Sequence, residues 1–530
     1  MKTMKRLLIA TAALVFMAGC NKDFKEINTN PLAIKTINDP GMLLTNILRN
    51  TATAGDWTAE STIIQQFVLP YNLGATVGYQ FNDPNPAISG APWGVYTGVL
   101  RTTQSLIDYV KTDSTRPNLY NMARIWRAYH YMWLVDHYGD VPYSEAELGQ
   151  KEGVFYPKYD KGATIYEDLH KEIKEATDAL NPAKDNNSKF DIFVPTNATA
   201  ATEITLWKRL GYSLLLRLGM RYSKVDQAKA KTIVQEAYNG GLMQSNLDNI
   251  YVKNTTEAGA SDVNYQNGRM NGIRTTNPYT YHAAEPLVTT LKNLSDPRLK
   301  FMVAYYSPDQ KTAPSVTNPD TITSHQFGFP VGYQIGLNWK DTSKGYRPPS
   351  GGGESFSQLN YNVVANTTTP SLIITNAQTK LLLAEAAFRG WLPAGAKTAK
   401  EYYEEGIIAS MDAYSIFPNT AGALPTAAEK AAYLARPGVA YNATDALMLI
   451  NTQYWIECFN NGHEGWCNWR RSGFPVLSPN YFNNPSGGFI RRFVYPIGEQ
   501  TINPANYQEA VASLGGDGDK LTTRVFWDKP

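Results

Sequence analysis

The fold is decided by residues 118–143, NLYNMARIWRAYHYMWLVDHYGDVPY. Apolar residues recur in this stretch at helical spacing, which predicts a helix over 118–138. The same periodicity continues through much of the chain and predicts further helices near 41–54, 58–69, 93–111, 161–180, 200–222, 226–239, 283–294, 371–390, 397–414, 427–435 and 443–460. The sequence therefore predicts a mainly α protein.

Small residues at regular spacing predict that some of these helices pack as pairs. Leu383-x3-Ala387 is followed by Ala399-x3-Tyr403-x2-Gly406, a small-large-small pattern that lets one helix nest against its neighbour, as in tetratricopeptide repeats. No strict repeat period can be read from the chain, so on this pattern alone a non-repetitive helical bundle remains the alternative.

Two stretches, residues 70–92 and 240–370, lack helical faces and are rich in Gly, Asn, Pro, Thr and Tyr. Loops of this length in a compact protein are usually functional or disordered, and the aromatic content argues against disorder. We predict a single domain over 41–530, with helix pairs mainly in 93–240 and 371–460. The two loop-rich stretches would face the ligand.

The first residues predict export. Basic residues at positions 2, 5 and 6 precede an apolar run over 7–18, and Ala18-Gly19 stands directly before Cys20. This is a lipoprotein-type signal peptide over 1–19, too short to span a membrane. Cys20 would carry acyl chains of the palmitate type, enough for stable anchoring. Residues 20–40 are polar and predict a lipidated tether.

Charge gives no sign of a polyanionic partner. Residues 1–19 hold three of the 49 Lys and Arg and none of the 47 Asp and Glu, so the remaining chain has a net charge of about −1. We therefore expect no nucleic-acid partner.

Only Cys458 and Cys467 remain beyond Cys20, and they form either one disulfide or two buried free thiols.

Motifs for catalysis are missing. No G-x-S-x-G elbow, phosphate-binding loop or dinucleotide fingerprint occurs, so we predict no cofactor and no enzymatic activity. His130 and His137 lie two turns apart on one helix, about 10.5 Å, too far for one metal ion. His463-Glu464 lacks the second histidine of a zinc-hydrolase helix. The sequence thus predicts no catalytic residue and no metal site.

Aromatic residues indicate a binding protein instead. The chain has 33 Tyr, 11 Trp and 19 Phe, and such rings stack on sugars while Asn, Asp and Arg bond the hydroxyl groups. For any one ring, core packing is the alternative role. The ligand-binding candidates in or near the irregular stretches are Trp57, Tyr79, Phe81, Asn82, Trp93, Tyr265, Arg269, Tyr281, Tyr333 and Trp339.

Motifs in a fixed order carry a family resemblance. They include residues 26–31 (EINTNP), Arg124-x-Trp126, residues 134–143 (LVDHYGDVPY), Asp296-Pro297-Arg298, Gln453-x-Trp455-Ile456, residues 466–475 (WCNWRRSGFP), Arg491-Arg492 and Val525-x-Trp527-Asp528. Together they resemble the SusD/RagB family of surface nutrient-binding lipoproteins. The resemblance implies four tetratricopeptide-like helix pairs packed against a loop-rich region with little β structure.

The resemblance also implies a partner, a SusC-like TonB-dependent transporter over which such proteins act as a hinged lid. It implies structural roles for the motif residues: Arg470-Arg471 and Asp296-Arg298 are expected to cap helices and brace loops. The family's ligand contacts lie in variable loops and do not carry over residue by residue.

We therefore predict a lipid-anchored outer-membrane protein, exposed at the cell surface, that binds nutrient oligosaccharides and delivers them to this transporter. A peptide-binding member of the same family is one alternative. A surface glycoside hydrolase is another, and a close carboxylate pair in a pocket would favour it. A third is an assembly subunit whose aromatic residues only contact the transporter.

Overall fold

The computed structural model describes residues 38–54, 57–68, 86–256, 267, 270, 281–306, 317–331, 356–479, 488–515 and 518–530. Residues Gly41–Pro530 form one compact unit. The predicted signal peptide, most of the tether and Cys20 lie outside the described residues. Within the described part, no helix is long and apolar enough to cross a membrane.

Helices make up most of the described structure, which confirms the mainly α prediction. They are α1 (Gly41–Ala54), α2 (Trp57–Ile63), α3 (Pro86–Trp93), α4 (Arg101–Val110), α5 (Pro117–Tyr138), α6 (Gly149–Glu152), α7 (Gly162–Ala179), α8 (Ala200–Arg221), α9 (Gln227–Gly240), α10 (Glu285–Asn293), α11 (Leu299–Met302), α12 (Asn376–Phe388), α13 (Ala399–Asp412), α14 (Ala427–Leu434), α15 (Ala446–Glu457), α16 (Gly462–Ser472), α17 (Ile497–Ile502) and α18 (Pro504–Ser513). A π-helical turn, Tyr96–Leu100, leads into α4.

The strands are short and lie mostly in the loop-rich part. They are β1 (Phe67–Val68), β2 (Val141–Pro142), β3 (Tyr159–Asp160), β4 (Ile250–Val252), β5 (His282–Ala283), β6 (Val303–Ala304), β7 (Gln358–Leu359) and β8 (Ser371–Ile374). One sheet has the order β1-β5-β7-β6, and two-strand sheets join β2 to β3 and β4 to β8. All these pairs are antiparallel.

Helices close to one another along the chain pack in pairs: α5 with α7, α8 with α9, α12 with α13, and α15 with α16. Their shared faces form one hydrophobic core, in which the indole rings of Trp126, Trp207, Trp455, Trp466 and Trp527 are fully buried. The predicted helix-pair architecture with little β structure is confirmed.

Local capping explains where several helices start. Thr375, Thr398 and Thr426 each form a capping box at the start of α12, α13 and α14. In this motif the threonine hydroxyl accepts a backbone N–H, and the Gln or Glu three residues later accepts the threonine N–H. Gly473, in the left-handed conformation, ends α16.

Several predicted boundaries were wrong because tertiary pairing overrides periodicity. The helix predicted over 58–69 ends at Ile63, since Gln65 adopts a left-handed φ of 58° and residues 67–68 pair with β5. The helix predicted over 371–390 starts only after Thr375, because residues 371–374 pair with β4. The helix predicted over 93–111 is divided by the π-helical turn.

Some elements were missed. Helices α16, α17 and α18 were not predicted, and residues 86–92 of the predicted loop form most of α3. In α16 the sequence GHEGWCNWRRS carries two glycines that weaken any helical pattern. Its first turn is stabilised by Asn461, whose side chain accepts the Glu464 N–H at 3.3 Å.

The cysteine pair forms no disulfide. Cys458 and Cys467 are both free and buried, so of the two alternatives the bridged one is wrong. The Cys467 thiol faces Asp136 Oδ2 at 3.4 Å, and Gln378 Nε2 lies 3.6 Å from the Cys458 sulfur. Burial raises the pKa of both thiols, which keeps them protonated and inert.

Candidate functional site

The motif residues of α5 lie at the centre of a buried polar network. Asp136 is fully buried and accepts hydrogen bonds from Trp527 Nε1 at 2.9 Å and from the hydroxyl group of Tyr166. Arg221 lies 3.4 Å from its other oxygen. Burial raises the pKa of Asp136, but the positive charge of Arg221 outweighs this and holds that pKa well below its usual range. These contacts join α5, α7, α8 and the C-terminal segment.

Glu464 extends the same network into α16. Its carboxylate accepts a hydrogen bond from Arg221 Nη2 at 2.6 Å and lies 3.3 Å from Arg217 Nε. The hydroxyl group of Tyr454 donates to its other oxygen at 2.8 Å. Each buried charge in this group therefore has a partner of opposite charge, as buried ions require.

The other motif arginines also act as braces. Arg298 donates to Asp296 at 2.6 and 2.9 Å and to Gln453 Oε1 at 2.6 Å, which confirms its bracing role. Arg471 forms two 2.7 Å bonds to Glu385 of α12. Arg470 donates to the Arg491 carbonyl at 2.7 Å. The two arginines of α16 thus connect to other segments and do not cap their own helix.

The histidines of α5 have separate partners. His130 lies 2.8 Å from the Trp126 carbonyl, and His137 Nε2 lies 2.7 Å from Glu60 Oε1. The donor atoms of Asp136, His463 and Cys467 come within 4.8 Å of one another. However, Arg470 Nη2 lies 3.1 Å from the Cys467 sulfur, and Arg221 faces Asp136. Two guanidinium groups so close oppose the binding of a cation.

A pocket opens where α5 meets β8 and the start of α16. Its enclosed cavity has a volume of about 60 Å³, room for a few water molecules or for one small group of a larger ligand that reaches in from the mouth. We call it the His463 pocket. The described residues that line it are Thr51, Tyr129, Trp133, Asn267, Met270, Thr369, Pro370, Ser371, Leu372, Ile373, Asn460, Asn461 and His463.

Two aromatic rings of α5 form one wall of the pocket. Tyr129 and Trp133 are four residues apart, so they lie on the same face of the helix. Tyr129 stacks on Trp126 with ring centroids 5.1 Å apart, and Trp133 contacts the ring of His463 at 5.6 Å. Packing behind the rings fixes their positions. Trp133 is only 4% exposed and Tyr129 is half-buried, so Tyr129 provides most of the aromatic surface toward the pocket.

The opposite wall is polar and held by amide side chains. Asn267 Nδ2 donates to the Thr369 carbonyl at 3.1 Å, and Asn254 Nδ2 donates to the same oxygen at 2.7 Å. Asn461 Nδ2 donates to the Ile373 carbonyl at 2.9 Å. These bonds tie the segment leading into β8 to two other loops, so this wall is also preorganised.

Four polar groups beside the pocket have no hydrogen-bond partner among the described residues. The buried atoms are Asn460 Oδ1 and His463 Nδ1. The hydroxyl group of Tyr129 and the indole N–H of Trp133 make no hydrogen bond to the described part of the chain either. Burial raises the pKa of Tyr129 to about 12, although Arg217 opposes the shift, so its hydroxyl stays a donor. Buried polar groups normally have partners, and a polar ligand would supply them.

The structure places three of the predicted ligand-binding residues. Trp93 ends α3 and contacts Tyr138 and Tyr96 with ring centroids 5.0 and 5.1 Å apart. Tyr281 packs against Phe67 at 6.3 Å. Neither Trp93 nor Tyr281 lines the His463 pocket, and the backbone of Trp57 lies in α2. The other candidates lie outside the described residues: Tyr79, Phe81, Asn82, Tyr265, Arg269, Tyr333 and Trp339.

Sequence reasoning missed the residues of the pocket. Tyr129 and Trp133 were taken as part of a packed helix, because rings at helical spacing usually face a core. His463 was considered only as a zinc ligand. The one available signal was the Tyr-x3-Trp pair on α5, and it cannot distinguish a core face from a pocket wall. Asn267 and Met270, however, lie next to the predicted candidates Tyr265 and Arg269.

The sequence matches the family model SusD-like_2, described as starch-binding and associating with the outer membrane, over residues 31–496. No curated protein matches the chain.

Solved structures share the fold over nearly the whole chain. A chitin-binding protein is 27% identical with a TM-score of 0.75, and the match covers 93% of this chain and 100% of that one. A SusD-like protein from Bacteroidetes is 26% identical with a TM-score of 0.76 and the same coverage. A chitin-binding SusD homologue from Flavobacterium johnsoniae is 21% identical with a TM-score of 0.71, covering 92% and 97% of the two chains.

Proposed function

Since the chain belongs to the SusD-like_2 family, we propose that it binds nutrient oligosaccharides and passes them to a SusC-like TonB-dependent transporter. The family description, starch-binding and associating with the outer membrane, supports this proposal. So does the likeness to a chitin-binding protein at 27% identity. The observation that carries it is the aromatic wall of the His463 pocket, beside four polar groups that have no partner among the described residues.

Sugar chemistry matches this arrangement. A pyranose ring has an apolar face formed by its C–H groups and an edge of hydroxyl groups. The rings of Tyr129 and Trp133 suit the face, and the polar groups of Asn460 and His463 suit the edge. Glycoside hydrolysis needs a pair of acids, and the described lining contains no carboxylate. Binding rather than hydrolysis is the chemistry it supports.

Removing the pocket's aromatic wall is expected to weaken glycan binding. Tyr129→Ala deletes a ring face and a hydroxyl group, so we expect the dissociation constant for a neutral hexasaccharide to rise at least tenfold, as loss of one aromatic contact does. Calorimetry against a panel of glycans and peptides measures it. Tyr109→Ala is the control, because Tyr109 is exposed on α4 and does not line the pocket.

Two outcomes of this calorimetric screen would contradict the proposal. Binding to peptides alone would contradict the sugar assignment and favour the peptide-binding alternative. Glycan binding that Tyr129→Ala leaves unchanged would place the ligand elsewhere. Tyr129→Phe accompanies the test, because it keeps the packing on Trp126 and removes only the hydroxyl group. A folded Tyr129→Phe protein with weaker binding separates ligand loss from instability.

Anchoring through Cys20 is part of the proposal. The lipid would hold a mobile protein next to its transporter, so the anchor matters for delivery and not for recognition. We expect Cys20→Ala to leave glycan affinity unchanged in the purified protein and to reduce uptake of the glycan by cells. Asn21→Ala, one residue further on, keeps the lipidation site and serves as the control. Equal uptake by Cys20→Ala and Asn21→Ala cells would show that the anchor is dispensable.

A further inference from the structure

The described lining of the His463 pocket is neutral. None of the described residues that line it is Asp, Glu, Lys or Arg. Arg217 and Glu464 are buried in their own ion pair at 3.3 Å, and Asp136 Oδ2 lies 3.6 Å from His463 Nε2. Arg217 also donates to Gln378 Oε1 at 2.6 Å. A charged ligand group entering the pocket would lose water and find no counter-ion among the described lining residues, which is unfavourable.

The neighbours of His463 determine its protonation state and its tautomer. Burial, and then His137 stacked on it, lower the pKa of His463 to about 3, so the imidazole is neutral near pH 7. Its Nε2 lies 3.6 Å from Asp136 Oδ2, and the carboxylate there is ionised. The proton of the neutral ring is therefore favoured on Nε2, beside the negative charge. Nδ1 is left with a bare lone pair, and it is the buried ring atom without a partner.

Asn460 provides a second acceptor at the same place. Its Oδ1 is buried and has no hydrogen-bond partner among the described residues. The residue lies at the end of the short 3-10 extension of α15, three positions before His463. Two unpartnered acceptors beside one pocket require donors from whatever fills it. Sugar hydroxyl groups and acetamido N–H groups are such donors, whereas carboxylate and sulfate groups only accept.

We propose that His463 Nδ1 and Asn460 Oδ1 select an uncharged sugar by accepting hydrogen bonds from a hydroxyl or amide N–H group that reaches into the pocket, and that acidic glycans are excluded. His463 and Asn460 are then the specificity-determining residues of the pocket. Asp136 acts on His463 indirectly: it favours the tautomer with the proton on Nε2, which leaves Nδ1 as the acceptor. This inference rests on the proposed function and adds the class of glycan.

Two substitutions of His463 distinguish the roles of its two ring nitrogens. His463→Asn places an amide at the position of Nδ1, whereas His463→Gln places it near Nε2. With chitohexaose and cellohexaose as neutral probes, we expect His463→Asn to keep affinity within about threefold. His463→Gln should weaken binding about tenfold, the effect of one lost hydrogen bond. Asn460→Leu, which keeps shape and removes the acceptor, should weaken it similarly.

An acidic probe tests the exclusion of charge. Hexagalacturonate has the same length and a carboxylate on every ring, and we expect the wild-type protein to bind it at least tenfold more weakly than the better neutral probe. Equal affinity for the acidic probe would overturn the inference. So would equal binding by His463→Asn, His463→Gln and wild type while Tyr129→Phe still weakens binding. If the wild type binds no glycan at all, the proposed function itself fails.

Discussion

Replacement of Glu385 by Gln is expected to lower the free energy of unfolding by about 3–5 kcal/mol, the range for breaking one partner of a buried ion pair. Glu385 is about 1% exposed and receives two 2.7 Å hydrogen bonds from Arg471, which is equally buried. Arg389 adds a bond of 2.8 Å. Glutamine keeps the shape and removes the charge, so Arg471 is left buried without a counter-ion.

The pH dependence gives a second signature of the same pair. Burial raises the pKa of Glu385, but the attraction of Arg471 outweighs it and lowers that pKa to about 2. Because the folded pKa lies below the ordinary value of 4.5, the stabilisation is complete once the pH is well above 4.5. It is lost as the pH falls from 4.5 toward 2. The stability difference between wild type and Glu385→Gln should therefore shrink over that range.

The matched control is Glu404→Gln on α13. Glu404 lies 3.7 Å from Lys400, one helical turn away, and both side chains are solvent-accessible. Exposed pairs of this kind contribute less than about 1 kcal/mol. Urea unfolding followed by tryptophan fluorescence and circular dichroism compares the two variants. If Glu385→Gln costs no more than Glu404→Gln, the buried pair is not a main support of the α12–α16 contact.

Such long-range pairs mark the limit of what sequence can predict about this fold. The helices themselves were predictable because periodicity and capping are local: α1 and α7 lie within one residue of their predicted bounds. Residues 136 and 527 were recognised as motif positions. Nothing in their spacing indicated that one carboxylate, Asp136, would gather Arg221 and Trp527 around it.

The strand errors have the same cause. Residues 67–68 and 371–374 carry apolar residues that also fit a helical pattern, and only pairing with residues 282–283 and 250–252 makes them strands. A strand partner more than a hundred residues away leaves no local signal. Propensity is a weak prior that such tertiary contacts override.

The candidate site was less predictable than the fold. A pocket depends on which faces the packed helices leave uncovered, and this follows from tertiary packing and not from residue type. Tyr129 is half-buried against Trp126 and also lines the pocket. The same ring therefore fits both roles considered from the sequence, core packing and ligand contact. The role of His463 depends on Asp136, which is 327 positions earlier in the chain.

One packing prediction from the sequence leads to a second substitution with an expected stability effect similar to that of Glu385→Gln. The small residue Gly406 was expected to let α13 nest against its neighbour. In the structure a Cβ atom at Gly406 would lie 2.7 Å from Leu381 Cγ and 2.9 Å from Leu381 Cδ2, both on α12. Contacts this short force the two helices apart, because Cγ is not the free end of a flexible side chain.

Gly406→Val is therefore expected to destabilise the protein by about 3 kcal/mol, at the upper end of overpacking effects. The control is Gly98→Val in the π-helical turn, where a Cβ atom meets nothing within 4 Å. Both changes replace Gly by Val in a helical segment, so they share the small gain in propensity of less than about 0.5 kcal/mol. Their difference in urea midpoint isolates the contact between α12 and α13. Equal midpoints would mean that Leu381 moves aside freely and that the glycine is not needed for the pair to nest.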